Sequence, residues 1–211
     1  MTGLILTSDD FGMSIVWNKW MLEMLKSNLL SSVSIMVDRV TSDQENQINE
    51  LLEMDVLNNF SLGLHLEIAD KNYERDCQRQ WNKFVRLLKR QPDYVDIHKG
   101  HLHKDKFDTV AELCLRKKVG FRKYNETSVN ADSPKESLIA TFLKWDEIKQ
   151  WIDQLKGGST YELVFHIGIF DPENSSSLNQ LRVLDVENLI LVNQYIDDKN
   201  ITIVNFKNAD F

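Results

Sequence analysis

The sequence predicts an α/β protein: a single-domain, distorted TIM-like (β/α) barrel of about seven parallel strands, spanning residues 1–211. Three observations predict it. Short apolar runs and helix-period segments alternate along the chain, the pattern of parallel strands joined by helical crossovers. Seven of those runs have the length and composition of strands. No Gly-rich phosphate loop accompanies them, which favours a closed or nearly closed barrel over a dinucleotide-binding sheet.

The first run, Leu4-Ile5-Leu6-Thr7, stops at Ser8-Asp9-Asp10-Phe11-Gly12 and reads as a buried strand ending in a turn. Ile15–Leu25 has helical spacing, with Ser14 as a cap. Ser32–Val37 alternates as a strand, and a polar helix is expected over about Ser42–Leu57. Phe60–Ile68 is a third strand, followed by a variable polar segment and a helix over roughly Asp76–Lys89 that Pro92 closes off. Tyr94–His98 is a fourth strand; a loop from His101 to Lys106 leads into a helix over Thr109–Lys118. Gly120–Tyr124 is a weak fifth strand. A helix over Trp145–Leu155 is stopped by Gly157-Gly158, and Tyr161–His166 follows as the sixth strand. A helix over Leu178–Ile196 and a strand over Ile201–Phe206 complete the series.

Composition narrows the function. The 211 residues suffice for a full core, and 42% hydrophobic with 27% charged residues is ordinary for a globular protein. A formal net charge of −7 argues against nucleic acid or an anionic membrane as partner. Cys77 and Cys114 show no metal-type spacing and read as a reduced pair. No apolar run approaches a membrane span and the N-terminus has no leader pattern, so the expected location is the cytoplasm. The five tryptophans fall in helix-like segments and are expected to pack the outer layer rather than stack sugars.

Polar chemistry collects at strand ends: Asp9 and Asp10, His65, His98 and His166, with His101 and His103 just beyond. In a parallel barrel these ends share one face, where active sites assemble. Alternation along the strand points Asp9 and Asp10 in different directions, and adjacent carboxylates call for a positive neighbour, commonly a metal ion. An Asp-rich turn with Asp10 or Ser14 capping the next helix is the plainer alternative. Two His and one carboxylate with open positions would suit Zn²⁺ or another water-activating divalent ion.

The same residues carry a resemblance. Ser8-Asp9-Asp10-Phe11-Gly12-Met13-Ser14 resembles the "ADDFGLS" opening of the YdjC-like carbohydrate deacetylases, relatives of the polysaccharide deacetylases. Gly63-Leu64-His65-Leu66 resembles their "GLHLN", Asp96-Ile97-His98 with the following Gly-His-Leu-His their "DSH…H", and His166-Ile167-Gly168 their "HPG". The stretch Gln80–Phe84 and Ser175-Ser176 followed by Arg182 also fit, in the right order. The resemblance implies a distorted barrel holding one divalent ion, Mg²⁺ or Zn²⁺, on Asp10, His65 and His98. It implies Asp9 as general base, His166 as general acid, and hydrolysis of N-acetyl groups on an acetylated amino-sugar oligosaccharide. A homodimer is the oligomeric arrangement left open.

Four departures from the pattern stand out. Ile167 replaces the usual Pro, and Glu67 stands where Asn is typical, adding a charge that would bias the pocket or reach the ion. His101 and His103 are offset by one residue, leaving open which of these histidines joins His65. The segment Ala69–Arg79 is short for the family, implying reduced covering loops. Two other readings remain: another metal-dependent hydrolase on the same barrel, or an inactive carbohydrate- or metal-binding relative.

Overall fold

The computed structural model describes residues 1–57, 60–68 and 73–211. Among these, eight parallel strands form one curled sheet: β1 (Thr2–Phe11), β2 (Ser32–Ile35), β3 (Ser61–Leu66), β4 (Tyr94–Ile97), β5 (Gly120–Phe121), β6 (Ser137–Ile139), β7 (Thr160–Phe165) and β8 (Ile201–Val204). Six helices accompany them: α1 (Ile15–Lys26), α2 (Glu45–Leu57), α3 (Tyr73–Leu88), α4 (Phe107–Lys117), α5 (Trp145–Asp153) and α6 (Arg182–Ile196). The strand order is β5-β4-β3-β2-β1-β7-β6. The barrel class is as the alternation predicts.

β1 is the central strand, paired among the described residues with three others. One edge takes β7 from Gly3 to Ser8. The other is divided: β8 pairs with Thr2–Ile5, and β2 takes over from Thr7. No pairing joins β5 to β6 among the described residues. The irregular segment between them is tied to the sheet by the Phe121 amide of β5, which donates to the Asp132 carbonyl, and by the Lys135 amide, which donates to the Thr160 carbonyl of β7.

The apolar core lies between sheet and helices, built on Leu4, Leu6, Leu62, Leu64, Leu163 and Phe165 with Trp17, Met21 and Phe84 against them. The inward row is unusual in being polar: Thr7, Ser32, Ser34, Tyr94, Asp96 and Glu162 are all fully buried. Tyr94 crosses this interior to accept a hydrogen bond from Ser32 Oγ at 2.9 Å. Gly63 makes room for it, since a Cβ there would sit 2.2 Å from the Tyr94 ring. Phe206, just past β8, stacks on Tyr94 at 3.8 Å between centroids. That end of the barrel is thereby closed.

Several boundaries differ from those the sequence predicts. β6 has no counterpart because Ser-Leu-Ile is too short to show a period. β5 is two residues long, so Arg122 and Tyr124 lie beyond it. α3 starts at Tyr73, absorbing part of the segment read as a short loop; residues 69–72 of that segment lie outside the described residues. α6 begins at Arg182, four residues later than the periodicity suggests. Ser14 is the cap of α1, its Oγ accepting from the Val16 and Trp17 amides. Both cysteines are buried and free, Trp17 and Trp81 are buried, and Trp20, Trp145 and Trp151 pack against the core. Among the described residues no helix is long and apolar enough to cross a membrane.

Candidate functional site

The C-terminal strand ends open into a cavity of about 980 Å³ whose lining includes Asp9, Asp10, His65, His98, Arg122 and His166. The residues predicted from strand ends therefore do meet. Asp9 continues the inward row of β1. Asp10 has φ 73°, a left-handed conformation that Asp adopts more readily than most residues. The β1–β2 register is interrupted at the same point, between Ser8 and Phe11. Simple alternation would have sent the two carboxylates to opposite faces; this irregularity turns both toward one centre.

Asp10, His65 and His98 each present a ligand atom, all within 4.8 Å of one another. His65 Nε2 lies 3.3 Å and His98 Nδ1 3.5 Å from Asp10 Oδ1, and the two ring nitrogens are 3.2 Å apart. Asp10 Oδ1 is buried yet has no hydrogen-bond partner among the described residues. A buried orphan oxygen flanked by two imidazole nitrogens is a donor set that fits one divalent cation. His101 is exposed and His103 half-buried, and neither belongs to this group.

Charges around the centre are arranged asymmetrically. The other oxygen of Asp10 accepts from Arg182 Nη2 at 2.5 Å, and the Arg182 guanidinium stacks 3.4 Å over Trp17. Gly168 permits that stack, since a Cβ would lie 2.6 Å from Trp17. Arg122 is surrounded by three carboxylates. It donates to both Asp9 oxygens at 2.7 and 2.8 Å, to Asp96 at 2.6 Å and to Glu162 at 3.1 Å. A second grouping of Asp9, His65 and Asp96 has ligand spacing, but the Arg122 guanidinium already bridges its two carboxylates. Asp9, Asp10, Asp96 and Glu162, all buried, thus face Arg122, Arg182 and the His65 ring, an excess of carboxylates that suits a cation.

Protonation follows this field. Burial pushes Asp9 upward, but Arg122, with His65 and His166, outweighs it and holds the carboxyl below its usual range. Burial likewise opposes ionisation of Asp10, and His65, His98, His166 and Arg182 together hold it well below. His65 is driven down by burial and up, more strongly, by Asp96, Asp9 and Asp10, so it retains its proton well above the ordinary imidazole range. An ion bound there would displace that proton from Nε2. Asp96 fixes the ring from behind, 2.5 Å from Nδ1, and is itself held by Ser34.

His166 sits at the end of β7 with Nε2 4.0 Å from Asp10 Oδ2. Its Nδ1 is 2.7 Å from Thr141 Oγ1, which in turn donates to Asp185 Oδ2 at 2.6 Å. Asp185 also receives the His166 amide at 2.6 Å. With its proton given to Asp185, Thr141 accepts from Nδ1–H, leaving Nε2 directed at the centre. Burial lowers the His166 pKa, favouring the neutral ring. It raises Asp185 to about 6, against the pull of Thr141, the His166 amide and Arg182.

The departures from the family motifs have local explanations. Ile167 donates its amide to Ser8 Oγ at 3.2 Å, a bond proline cannot make. Glu67 is gripped by Arg39 through contacts of 2.7–3.0 Å and neither lines the cavity nor joins the ligand group. Arg122, Thr141 and Asp185 carried no sequence motif. For Asp185 a weak signal exists: with Arg182 and Asn188 it places polar residues on the buried stripe of α6, beside Val186 and Leu189. Arg122 had none, because β5 is too short to reveal which way its neighbours face.

No protein-family model matches the chain. A carbohydrate deacetylase of Clostridium beijerinckii is 25% identical to it over 248 aligned positions, covering 97% of this chain and 98% of that protein. The chain is thus similar to a carbohydrate deacetylase along nearly its whole length. The alignment is longer than the 211 residues, so the Clostridium deacetylase carries segments this chain lacks. Among solved structures, an Enterococcus faecalis protein named for cellobiose-phosphate cleavage superposes with TM-score 0.75 at 17% identity, covering 98% of both chains. A polysaccharide deacetylase of Bacillus cereus gives 0.57 at 7% identity, over 96% of this chain and 90% of that one. A family 4 acetyl xylan esterase of Clostridium thermocellum, solved with cobalt, gives 0.54 at 11%, over 97% and 88%. These likenesses show that the chain shares their fold.

Proposed function

We propose that the protein is a metal-dependent hydrolase that removes N-acetyl groups from amino-sugar oligosaccharides. The observation that carries this reading is the orphaned Oδ1 of Asp10 between His65 and His98, with Asp9 ionised beside it and His166 Nε2 on its other side. Asp10, His65 and His98 would hold one divalent ion, Mg²⁺ or Zn²⁺, which when bound supplies a Lewis acid for the acetamide carbonyl and its attacking water.

The chain's own groups supply the rest. Asp9 is clamped by Arg122 in ionised form and oriented to take a proton from water as general base. His166, held by Thr141 and Asp185, presents Nε2 to the leaving amine. Because burial favours the neutral ring, the general-acid role requires a proton to reach Nε2 within the reacting complex, and the resulting imidazolium is a strong donor. The carboxylates are buried at the base of a cavity of about 980 Å³, which has room for an acetylated sugar.

The deciding experiment is acetate release from short N-acetylglucosamine oligomers by metal-stripped protein with Mg²⁺, Mn²⁺, Co²⁺ or Zn²⁺ restored. Metal-dependent release that disappears in His65→Ala supports the reading. Tight ion binding with no release under any metal would overturn it.

A further inference from the structure

Two adjacent aspartates and two arginines meet at the centre, and the two pairs are built differently. Arg122 takes both oxygens of Asp9. Arg182 takes one oxygen of Asp10, Oδ2, and reaches it through Nη2 alone. The Nε and Nη1 of Arg182 are buried with no hydrogen-bond partner among the described residues. An arginine retained for stability alone would satisfy its fork on the carboxylate, since unmet buried donors are costly. The one-pronged contact instead leaves Asp10 Oδ1 open between His65 Nε2 and His98 Nδ1.

Three elements hold the guanidinium in that attitude. Arg182, the first residue of α6, is fully buried, and its Cζ lies 3.4 Å from the centre of the Trp17 ring. Trp17 of α1 is also fully buried and is pinned by Nε1, which donates to the Ile169 carbonyl at 3.0 Å. Gly168, in the loop after β7, leaves the space: a Cβ there would lie 2.6 Å from Trp17 and 3.3 Å from Arg182 Cδ. Two helices and a loop thus converge on one oxygen of one carboxylate.

A carboxylate with both oxygens free can bind an ion through two, which suits larger, oxygen-preferring ions such as Mn²⁺. One carboxylate oxygen beside two imidazoles suits Zn²⁺ or Co²⁺. We propose that Arg182, stacked on Trp17, confines Asp10 to one-oxygen coordination and so biases the ion site toward Zn²⁺ over Mn²⁺. Arg182 is a positioning residue, acting on the ion only through Asp10. This rests on the ion site of the proposed function and specifies which ions that site selects.

The test compares metal-stripped wild type with Arg182→Met, which keeps a long, unbranched side chain and removes the donor. Zn²⁺ and Mn²⁺ affinities are measured by competition with a chromophoric chelator. Removing a positive charge strengthens both ions alike, so a change in coordination shows in the ratio of the two affinities. The preference for Zn²⁺ should fall about tenfold, the lower range for a partner lying behind a metal ligand. X-ray absorption of the Zn²⁺-loaded wild type should show Asp10 bound through one oxygen, a measurement that does not depend on the variant folding. An unchanged ratio in folded Arg182→Met, or two Asp10 oxygens on the ion in the wild type, would overturn the clamp and leave the ion site standing. Failure of the wild type to bind either ion would overturn the ion site and the clamp together.

Discussion

Arg122 Nη1 and Nη2 meet the two oxygens of Asp9 at 2.7 and 2.8 Å, in the parallel two-pronged geometry that favours an ionised carboxylate. The arginine comes from beyond β5 and the aspartate from β1, so the contact spans the barrel interior. The same guanidinium neutralises Asp96 and Glu162. Arg122 is thus both the structural centre of the polar interior and the group that sets the state of the proposed base.

Replacing Asp9 separates these roles. Asp9→Asn should reduce acetate release at least 10²-fold, the lower range for a lost general base, while leaving ion affinity nearly unchanged because Asp9 is not in the Asp10–His65–His98 group. Titration calorimetry alongside the activity assay checks both. Ion affinity falling in step with activity would place Asp9 among the ligands.

Arg122→Met should be far more damaging to the fold. It leaves three buried carboxylates without their shared cation, and a loss of roughly 3–5 kcal/mol is expected from the breaking of a buried pair. Urea unfolding measures it. Arg122→Lys keeps a charge but not the two-pronged geometry, so it should recover part of the stability and little of the activity.

Ion binding should raise the melting temperature. At 100 times the Kd a ligand stabilises the native state by about 2.7 kcal/mol, and a chelator should reverse the shift. Asp10→Asn and His65→Ala should abolish the shift, while His101→Ala should retain it, since His101 is outside the ligand group. A ligand role for His101 would be indicated by loss of the shift in that variant.

The Thr141 bridge predicts a pH dependence. Asp185, raised to about 6, is the stronger acceptor for the Thr141 hydroxyl when ionised; once protonated it can donate instead and reverse the bridge. Acetate release should therefore decline as pH falls below about 6, and Asp185→Asn should remove that limb. The stability effect has the opposite sign. Because the folded-state pKa lies above the usual Asp value, buried ionised Asp185 costs stability above about pH 6, and the cost fades as pH falls toward 4. Thr141→Val should lower kcat with little change in KM, and Thr141→Ser should restore it.

Ile167→Pro, the substitution toward the family motif, should destabilise this chain. It removes the amide that Ser8 Oγ accepts, at an expected cost of about 1 kcal/mol, measurable as a lower midpoint in urea with ion affinity unchanged.

Strand-and-helix alternation was legible in the sequence because period and turn chemistry are local properties, and it was enough to predict the barrel. Asp9, Asp10, His65, His98 and His166 were legible as candidates because each stands at the end of an apolar strand, and parallel strands bring such ends to one face. Tertiary structure decided the rest. The left-handed backbone at Asp10 overrides strand alternation and turns two adjacent carboxylates toward one centre. Arg39 removes Glu67 from consideration, and Ser8 gives Ile167 a partner. Arg122, Thr141 and Asp185 acquire their positions through contacts more than 18 residues apart in sequence, between elements too short or too irregular to carry a period. Local sequence determines the longer strands and what they carry at their ends; only packing decides the short ones, such as β6, and which charges those ends meet.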